Sequence, residues 1–379
     1  MKPISLVLLS ILMILGVSAW ADDSAQSSEI DQLELLGGRV IIGGTMAGAY
    51  QYESTSDSEE DDSFGRGALT IQPEITIRPT KSDEIFFKLG FAAGNGLNID
   101  KHRFALAPWA ADLEDDVKDI NGRNRDYLLT AWYKHSFNIG ENVISLTGGI
   151  IDSTDYLDEN AFANDEFTQF MNEALVNAPV AFLPSYDVGG ALEVEMGRFT
   201  VKAVFMQVGE NDEGKGYQSY GLQAGYSIET PWGEGNYRII LDATSDDFSD
   251  PYGRNEESLK GLVISCDQEL GEVLGAWIRF GWSDDEASVT YADFYSGGIN
   301  ISGKIWGREQ DNIGIGYAYL NGGNQELDKT HLFEGYIRFG LNDIFALTFD
   351  LQYIDDEYKE EAGEDVDGWI AGFRLTAEF

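Results

Sequence analysis

The sequence is poor in the residues that build disulfides, metal sites and hydrolytic active sites. It has a single cysteine, Cys266, and three histidines, at the widely spaced positions His102, His135 and His331. A lone cysteine cannot form a disulfide within the chain, and no Ser-His-Asp constellation or metal-ligand spacing is visible. We therefore expect no cofactor, and an enzyme is the weakest of the functions considered below.

Basic residues are also scarce. The chain has 25 Lys and Arg against 66 Asp and Glu, for a formal net charge of −41. Nucleic acid is excluded as a partner, because a polyanion needs a basic surface to bind. The acidity itself has two interpretations: a solvated protein surface, or a field at a pore mouth that attracts cations and repels anions.

Long apolar runs are missing except near the start of the chain. Lys2 is followed by an apolar run from Ile4 to Val17 and by a small-residue pattern at Ala19–Ala21. This pattern predicts a secretory signal peptide over residues 1–21, cleaved before Asp22. No other stretch approaches the ~18 to 20 apolar residues of a spanning helix. We expect an exported protein with a periplasmic lead-in over residues 22–38 and no helical anchor.

What the sequence does have is apolar residues at every second position. In the segment Asp367–Phe379, Trp369, Phe373 and Leu375 alternate with polar residues such as Arg374. A period of two predicts a β-strand with one apolar and one polar face. Such a strand suits a soluble sandwich or a membrane barrel, and a last strand that ends in Phe resembles the closing strand of bacterial outer-membrane barrels.

Sixteen segments can be interpreted as strands, and their connections alternate in length. The connections after odd-numbered strands are long and acidic, whereas those after even-numbered strands are mostly short. This segregation predicts an all-β, sixteen-stranded antiparallel transmembrane β-barrel over residues 39–379, with long loops extracellular and both termini periplasmic. The predicted strands are Arg39–Tyr50, Gly67–Arg78, Ile85–Phe91, Arg125–Phe137, Asn142–Ile151, two strands flanking Gly197–Arg198, Tyr220–Tyr226, Tyr237–Thr244, Leu259–Gln268, Leu274–Trp282, Phe294–Ile305, Asn312–Leu320, Phe333–Phe339, Phe345–Tyr353 and Asp367–Phe379.

The inward positions of these strands carry charge, and a barrel of this size leaves an aqueous lumen. These side chains either pair across neighbouring strands or offer hydrogen bonds to solute hydroxyls. Two tryptophans at inward positions could stack against sugar rings or pack against an infolded loop. The predicted pore-lining residues are Lys88, Trp132, Lys134, Arg238, Trp277, Arg279, Glu334, Arg338 and Asp350.

Two segments of the sequence resemble the carbohydrate-selective porin family. They are Thr154–Asn177, which reads TDYLDENAFANDEFTQFMNEALVN, and Gly303–Tyr319, which contains a Gly-Arg-x-x-Asp turn. The resemblance implies a sixteen-stranded outer-membrane barrel that passes sugars by diffusion and is narrowed by infolded external loops. We expect the connection 152–187 to be such a loop, with a helix over Asp165–Leu175. The predicted constriction residues are Asp155, Ala163–Asn164, Asp165 and Glu166.

The expected partners are outer-membrane lipid and small polar solutes such as sugars, and the sequence leaves the number of subunits open, a homotrimer included. Because the loops are acidic, a general or cation-preferring porin is the alternative to a sugar porin. A surface barrel with a plugged lumen would be adhesive instead. The acids of the infolded loop could cap its helix or bind calcium. Capping is favoured, because no EF-type spacing is present.

Overall fold

The computed structural model describes residues 32–56, 63–360 and 362–379. The predicted signal peptide and the lead-in up to Asp31 lie outside the described residues. Most of the rest forms sixteen strands that run back and forth across one sheet. Their bounds are β1 Val40–Thr55, β2 Phe64–Ile77, β3 Asp83–Leu89 continued by Phe91–Ala93, β4 Leu128–Ile139, β5 Asn142–Ile151, β6 Asp187–Met196, β7 Phe199–Val208, β8 Tyr217–Thr230, β9 Gly233–Thr244, β10 Lys260–Leu270, β11 Leu274–Ser283, β12 Tyr291–Ser302, β13 Asn312–Gly322, β14 Leu327–Gly340, β15 Phe345–Tyr358 and β16 Val366–Glu378.

The sheet closes on itself through its first and last strands. Phe373 of β16 pairs with Phe349 of β15 on one side and with Tyr50 of β1 on the other. Each remaining strand pairs antiparallel with its sequence neighbours, so the sixteen strands form a closed barrel and the predicted strand count is confirmed. Within the described residues, each of the sixteen strands is paired on both sides, which is the condition for a sheet to cross a bilayer.

The alternation along each strand separates the two faces of the barrel. On β15 and β16, the outward side chains of Phe349 and Phe373 are 49% and 46% exposed, whereas the inward Arg374 is fully buried. Apolar side chains that face outward all round a barrel meet hydrocarbon in the membrane, and the inward set meets protein or water. The predicted phase of these strands is therefore confirmed.

Connection lengths follow the predicted parity, with two departures. The connection 323–326 is short although it follows an odd-numbered strand, and 303–311 is long although it follows an even-numbered one. The second contains the 3-10 helix Gly303–Trp306. There Arg308 pairs with Asp311 at 2.6 Å and donates to the Gly340 carbonyl at 2.8 Å. The Gly-Arg-x-x-Asp motif thus ties this turn to the end of β14.

A few short elements complete the described fold. Leu33–Leu35 forms a strand that pairs with the start of β1, and Phe248–Ser249 pairs with Glu256–Glu257 in the connection after β9. The described α-helices are α1 (Glu114–Lys118) and α2 (Glu173–Val176), and Ser153–Asp155 forms a second 3-10 helix. Among the described residues, no helix has the length and apolar character needed to cross a bilayer.

The helix predicted over Asp165–Leu175 is wrong in its bounds, since only α2 forms. Asp165 accepts hydrogen bonds from the Phe167 and Thr168 amides, and the Asn172 side chain caps α2 by accepting from Ala174. Other backbone groups of this stretch bond to the barrel wall and to the connection 94–127, as described below. A helix cannot form where its amides and carbonyls are used by other partners.

Candidate functional site: the constriction of the barrel

Two long connections fold into the barrel and pack on each other. The first is the connection 152–186, which the sequence predicts to fold inward. The second is the long connection 94–127. The Ala110 amide donates to the Met171 carbonyl at 2.8 Å, and the Trp109 indole donates to the Glu166 carbonyl at 3.0 Å. Trp109 is 1% exposed. The interior of the barrel therefore contains a packed protein core.

One part of the inner wall binds the infolded connection 152–186, and we call it the docking wall. Glu334 accepts from the amides of Met171 and Asn172 at 2.5 and 3.0 Å. Arg374 donates to the carbonyls of Glu166 and Gln169 at 2.6 and 2.8 Å. These bonds to buried charged side chains satisfy backbone groups of the loop. The docking wall consists of Arg279, Glu334, Gln352, Arg374 and Thr376.

Trp277 and Asp350, both predicted to line the pore, lie beneath this loop. The Trp277 ring is 2% exposed and packs edge-on against Phe170, with ring centroids 5.7 Å apart. Trp277 therefore packs against the infolded loop, which was the alternative to stacking against a sugar ring. Asp350 is 5% exposed and accepts a hydrogen bond from Gln352 at 3.0 Å. Neither side chain offers a surface to a passing solute in this arrangement.

Glycines on the inner wall make room for the loop side chains. A Cβ on Gly275 would lie 2.2 Å from the Phe162 ring, and one on Gly316 would lie 2.9 Å from Phe170 and Leu175. Those distances are shorter than van der Waals contact, so any larger residue would push the loop away from the wall. Glycine is needed at these two positions because another chain segment approaches closely.

A second part of the inner wall carries charges that pair with one another, and we call it the open wall. Lys134 pairs with Glu193 at 2.6 Å, Lys202 lies 3.7 Å from the same carboxylate, and Arg238 pairs with Asp267 at 2.5 Å. The open wall consists of these five residues. Lys202 also reaches Glu159 of the infolded loop at 2.6 Å. Lys134 and Arg238 therefore form ion pairs across strands, which was one of the two interpretations of the inward charges.

Next to these charges the inner wall has an aromatic platform. Trp132 of β4 lies opposite Phe86 of β3 in the sheet register, and their rings stack with centroids 5.0 Å apart and an interplanar angle of 26°. Trp132 is only partly buried. Of the two inward tryptophans, this one keeps part of its side chain exposed, although it also packs against the interior core.

A cavity of about 270 Å³ lies between the infolded connections and strands β2 and β3, and we call it the constriction cavity. It brings together Lys88 with all the predicted acidic constriction residues and Asn164. Lys88 is the one basic side chain of the lining, and Glu74 lies 3.6 Å from it. The carboxylates of the lining are Glu74, Asp112, Asp152, Asp155, Asp165 and Glu166.

Three of these carboxyls have raised pKa values because protein surrounds them. Burial raises the pKa of Asp112 to about 7, although a hydrogen bond from the Tyr186 hydroxyl at 2.5 Å opposes the rise. Burial and the neighbouring Asp152 raise the pKa of Asp155 to about 7, even though the side chain reaches lumen water. Burial and Asp165 raise the pKa of Glu166 to about 8. The charge of the cavity therefore changes near neutral pH.

The acids of the loop serve as caps and anchors. Asp165 caps a turn, as noted above, and Asp152 accepts from the Thr154 amide at 2.9 Å. Across the described ranges, His, Cys, Asp and Glu form no group of three or more that could hold a metal ion. Asp165 thus caps a turn rather than the predicted helix, and the helix that does form, α2, is capped by Asn172.

A larger and more open cleft, of about 680 Å³, lies among the long connections. The side-chain amides of Asn324 and Gln325 hold these connections together. Asn324 donates to the carbonyls of Asp285 and Ala287, and Gln325 donates to Ser288 and accepts from Thr290. The constriction cavity is the better candidate site, because it brings together Lys88 and the acidic constriction residues that the sequence predicts.

The predicted site residues thus fall into separate groups. Lys88 and the loop acids meet at the constriction cavity, and Trp132, Lys134 and Arg238 lie on the rest of the lumen wall. Arg338 lies apart, near the short turns, where it pairs with Glu378 at 2.9 Å. Sequence reasoning missed Asp112, Asp152, Asn177 and Tyr186. The apolar residues of the connection 94–127 were the available signal, because a loop exposed to water would not carry so many.

Comparisons with known proteins agree with this geometry. The family model of the carbohydrate-selective porin, OprB family, matches residues 94–379. An uncharacterized protein of Aquifex aeolicus (strain VF5) is 33% identical over 316 residues, which is 83% of this chain and 89% of that protein.

Among solved structures, Pseudomonas putida OprB at high pH has a TM-score of 0.69 at 16% identity, covering 90% of this chain and 94% of that chain. Pseudomonas aeruginosa OccK11 (OpdR) has a TM-score of 0.51 at 8% identity, covering 90% and 96%. These two likenesses support the barrel fold. The family match covers most of the barrel and both infolded connections, so the chain belongs to the OprB family of carbohydrate-selective porins and is a sugar-passing porin of the outer membrane.

Proposed function

We propose that sugars cross this porin through the constriction cavity and then along the open wall, past the Phe86–Trp132 platform. The observation that carries the proposal is that Glu334 and Arg374 of the docking wall are fully buried against the loop, whereas Lys134 and Glu193 of the open wall and Glu74 of the cavity remain partly exposed. The passage is lined with carboxylates, ammonium groups and amides that can exchange hydrogen bonds with sugar hydroxyls. The aromatic platform offers an apolar surface to the C–H face of the ring.

We also propose that the same passage prefers cations to anions. Six carboxylates and a single lysine line the constriction cavity. In a narrow passage with low-dielectric walls, such an excess of one sign concentrates counter-ions and repels ions of the same sign. Neutral sugars are insensitive to this field, so sugar passage and cation preference can coexist in one pore.

The finer topology is part of the proposal. The long connections would face the cell exterior and the termini the periplasm, after removal of a signal peptide at residue 21. Short turns at the periplasmic end and long loops outside are the usual arrangement of bacterial barrels. Either a monomer or a homotrimer is compatible with an outward face that is apolar all round.

Planar bilayers and liposomes test the proposal. The purified protein should form open channels whose conductance falls as a neutral sugar is added, and its reversal potential in a KCl gradient should indicate a preference for K⁺. Sugar-dependent swelling of liposomes should decrease with solute size. A channel that conducts ions but ignores sugars would contradict the proposed sugar path, and a preference for Cl⁻ would contradict the proposed charge selection.

A further inference from the structure

Arg279 bonds to two separate segments of the infolded loop at once. We call residues 158–163 the descending arm of the loop and residues 175–178 its ascending arm. The side chain of Arg279 is fully buried. It pairs with Asp158 at 2.8 Å and donates to the carbonyl of Ala163, both on the descending arm of the loop. On the ascending arm it donates to the carbonyls of Leu175 and Val176, each at 3.1 Å. A guanidinium has the five donors in a fixed fork that such a junction needs.

The residues next to these contacts form part of the rim of the passage. Asn164 follows Ala163, Asn177 follows Val176, and both asparagines line the constriction cavity. Their side chains are joined by a hydrogen bond of 3.1 Å from Asn177 to Asn164. Arg279 therefore lies behind the asparagine pair and fixes the peptide groups that precede both members.

Asp158 completes the arrangement from the other side of Asn177. Its second carboxylate oxygen accepts from the Ala178 amide at 3.1 Å, while its own amide donates to Gln223 of β8 at 3.0 Å. Asn177 is thus held at the preceding carbonyl by Arg279 and at the following amide by Asp158. Asp158 has φ of 60°, a left-handed backbone conformation that costs energy outside glycine.

We infer that the buried Asp158–Arg279 pair is a positioning device that sets the aperture of the pore, by fixing the Asn164–Asn177 rim without touching the solute. The inference rests on the proposed path through the constriction cavity. It assigns Arg279, predicted from the sequence to meet solutes, a different role. Removing the guanidinium releases both arms of the loop and lets the asparagine rim move away from β2 and β3.

The test compares size discrimination in liposome swelling for the wild-type chain and for Arg279→Met, which keeps side-chain length and removes every donor. The ratio of trisaccharide to monosaccharide swelling rate should rise by about threefold or more, the scale of coupling within one contact network. Arg338→Met is the matched control. Arg338 is also an inward arginine, but it lies near the short turns, and its side chain bonds to Glu378 and to the Gln310 carbonyl rather than to the infolded loop. Its variant should keep the wild-type ratio.

A second measurement separates positioning from loss of structure. If Arg279 acts through the rim, Arg279→Met should change the swelling ratio far less in a background that already carries Asn164→Ala and Asn177→Ala. Equal effects in both backgrounds would overturn the inference.

If Arg279→Met fails to fold, Asp158→Asn takes its place. Asn keeps the size of the side chain, tolerates the left-handed conformation and leaves the carbonyl contacts of Arg279. It should raise the swelling ratio in the same direction but less. A folded Arg279→Met or Asp158→Asn barrel with the wild-type ratio would end the inference, whereas a wild-type chain without sugar-dependent swelling would instead contradict the proposed function.

Discussion

The docking wall and the open wall both carry arginine and glutamate at inward positions of regular strands. On the docking wall, Glu334 and Arg374 are fully buried and bind backbone groups of the infolded loop. On the open wall, Glu193 and Lys134 remain partly exposed and bind each other. The same residue types therefore hold a loop in one place and line a lumen in the other. The difference lies in what covers them.

The energetic consequences of the two arrangements differ. A buried charge that serves a backbone amide leaves that amide unsatisfied when it is removed, which costs about 1–3 kcal/mol per group and more when charge is involved. A pair in contact with lumen water can exchange its partner for solvent, so its loss costs about 1 kcal/mol or less. The two walls should therefore respond differently to the same substitution.

The largest difference is expected between Glu334→Gln and Glu193→Gln. In Glu334→Gln, an amide replaces a carboxylate that accepts from Met171 and Asn172, so docking should weaken by about 2–4 kcal/mol. In Glu193→Gln, the loss should be about 1 kcal/mol or less. Limited proteolysis of the loop in the folded barrel, together with thermal unfolding, measures both. Equal cleavage rates in the two variants would remove the distinction between the walls.

A smaller effect is expected from adding a methyl group to the glycines. Gly316→Ala places a Cβ 2.9 Å from Phe170 and Leu175, and overpacking of this kind costs about 1–3 kcal/mol. The matched control is Gly335→Ala on the adjacent strand, where the nearest atoms are 3.9 Å away and the change should stay within about 0.5 kcal/mol. Thermal unfolding of both variants measures the difference. A neutral Gly316→Ala variant would mean that the loop is not pressed against the wall.

The charge of the cavity between the walls should depend on pH. Asp112, Asp155 and Glu166 have pKa values raised to about 7, 7 and 8, so they are largely neutral at pH 5.5 and ionised at pH 9. The permeability ratio of K⁺ to Cl⁻ should therefore rise several-fold between these pH values. Reversal potentials measure the ratio. A variant with Asn, Asn and Gln at these positions should give a flatter curve, and an unchanged slope would place the titrating groups elsewhere.

The smallest effect is expected at the aromatic platform of the lumen. Trp132→Ala removes one ring of the stacked pair and should weaken sugar block of the conductance by about twofold to tenfold, the range that a stacked aromatic contact supplies. Trp282→Ala is the control, because that residue is on the outward face of β11. Concentration series of sugar in planar bilayers measure the block. Equal responses of the two variants would mean that the platform does not meet the solute.

Much of the fold could be predicted because the alternation of apolar and polar residues along the sequence is enough to recognise most strands of the barrel. Strand β5 has the predicted bounds, Asn142–Ile151, and the weakly patterned β10 was located to within two residues at each end. The bounds of the loop helix could not be predicted in this way. Backbone amides and carbonyls of the predicted segment bond to Glu334 and Arg374, which are distant in sequence, so local helix propensity does not account for them.

The candidate site was predicted only in part for the same reason. The loop acids Asp155, Asp165 and Glu166 were recognised, but Asp112 belongs to a different connection and approaches them only after both connections fold inward. The pattern also placed Trp132 and Trp277 in one class, since both occupy inward positions. In the structure, Trp132 stacks on Phe86, whereas Trp277 packs beneath Phe170.

The sequence by itself determined that the chain closes into a sixteen-stranded barrel with its apolar side chains outside. Alternation with period two, repeated along most of the strands, defines an apolar face and a polar face for the sheet. Only the tertiary structure decided which inward charges anchor a loop and which line the passage. Arg279 meets Asp158 across 121 residues, and Arg374 meets Glu166 across 208. Contacts at such separations depend on how the loops enter the lumen, and no local pattern records that.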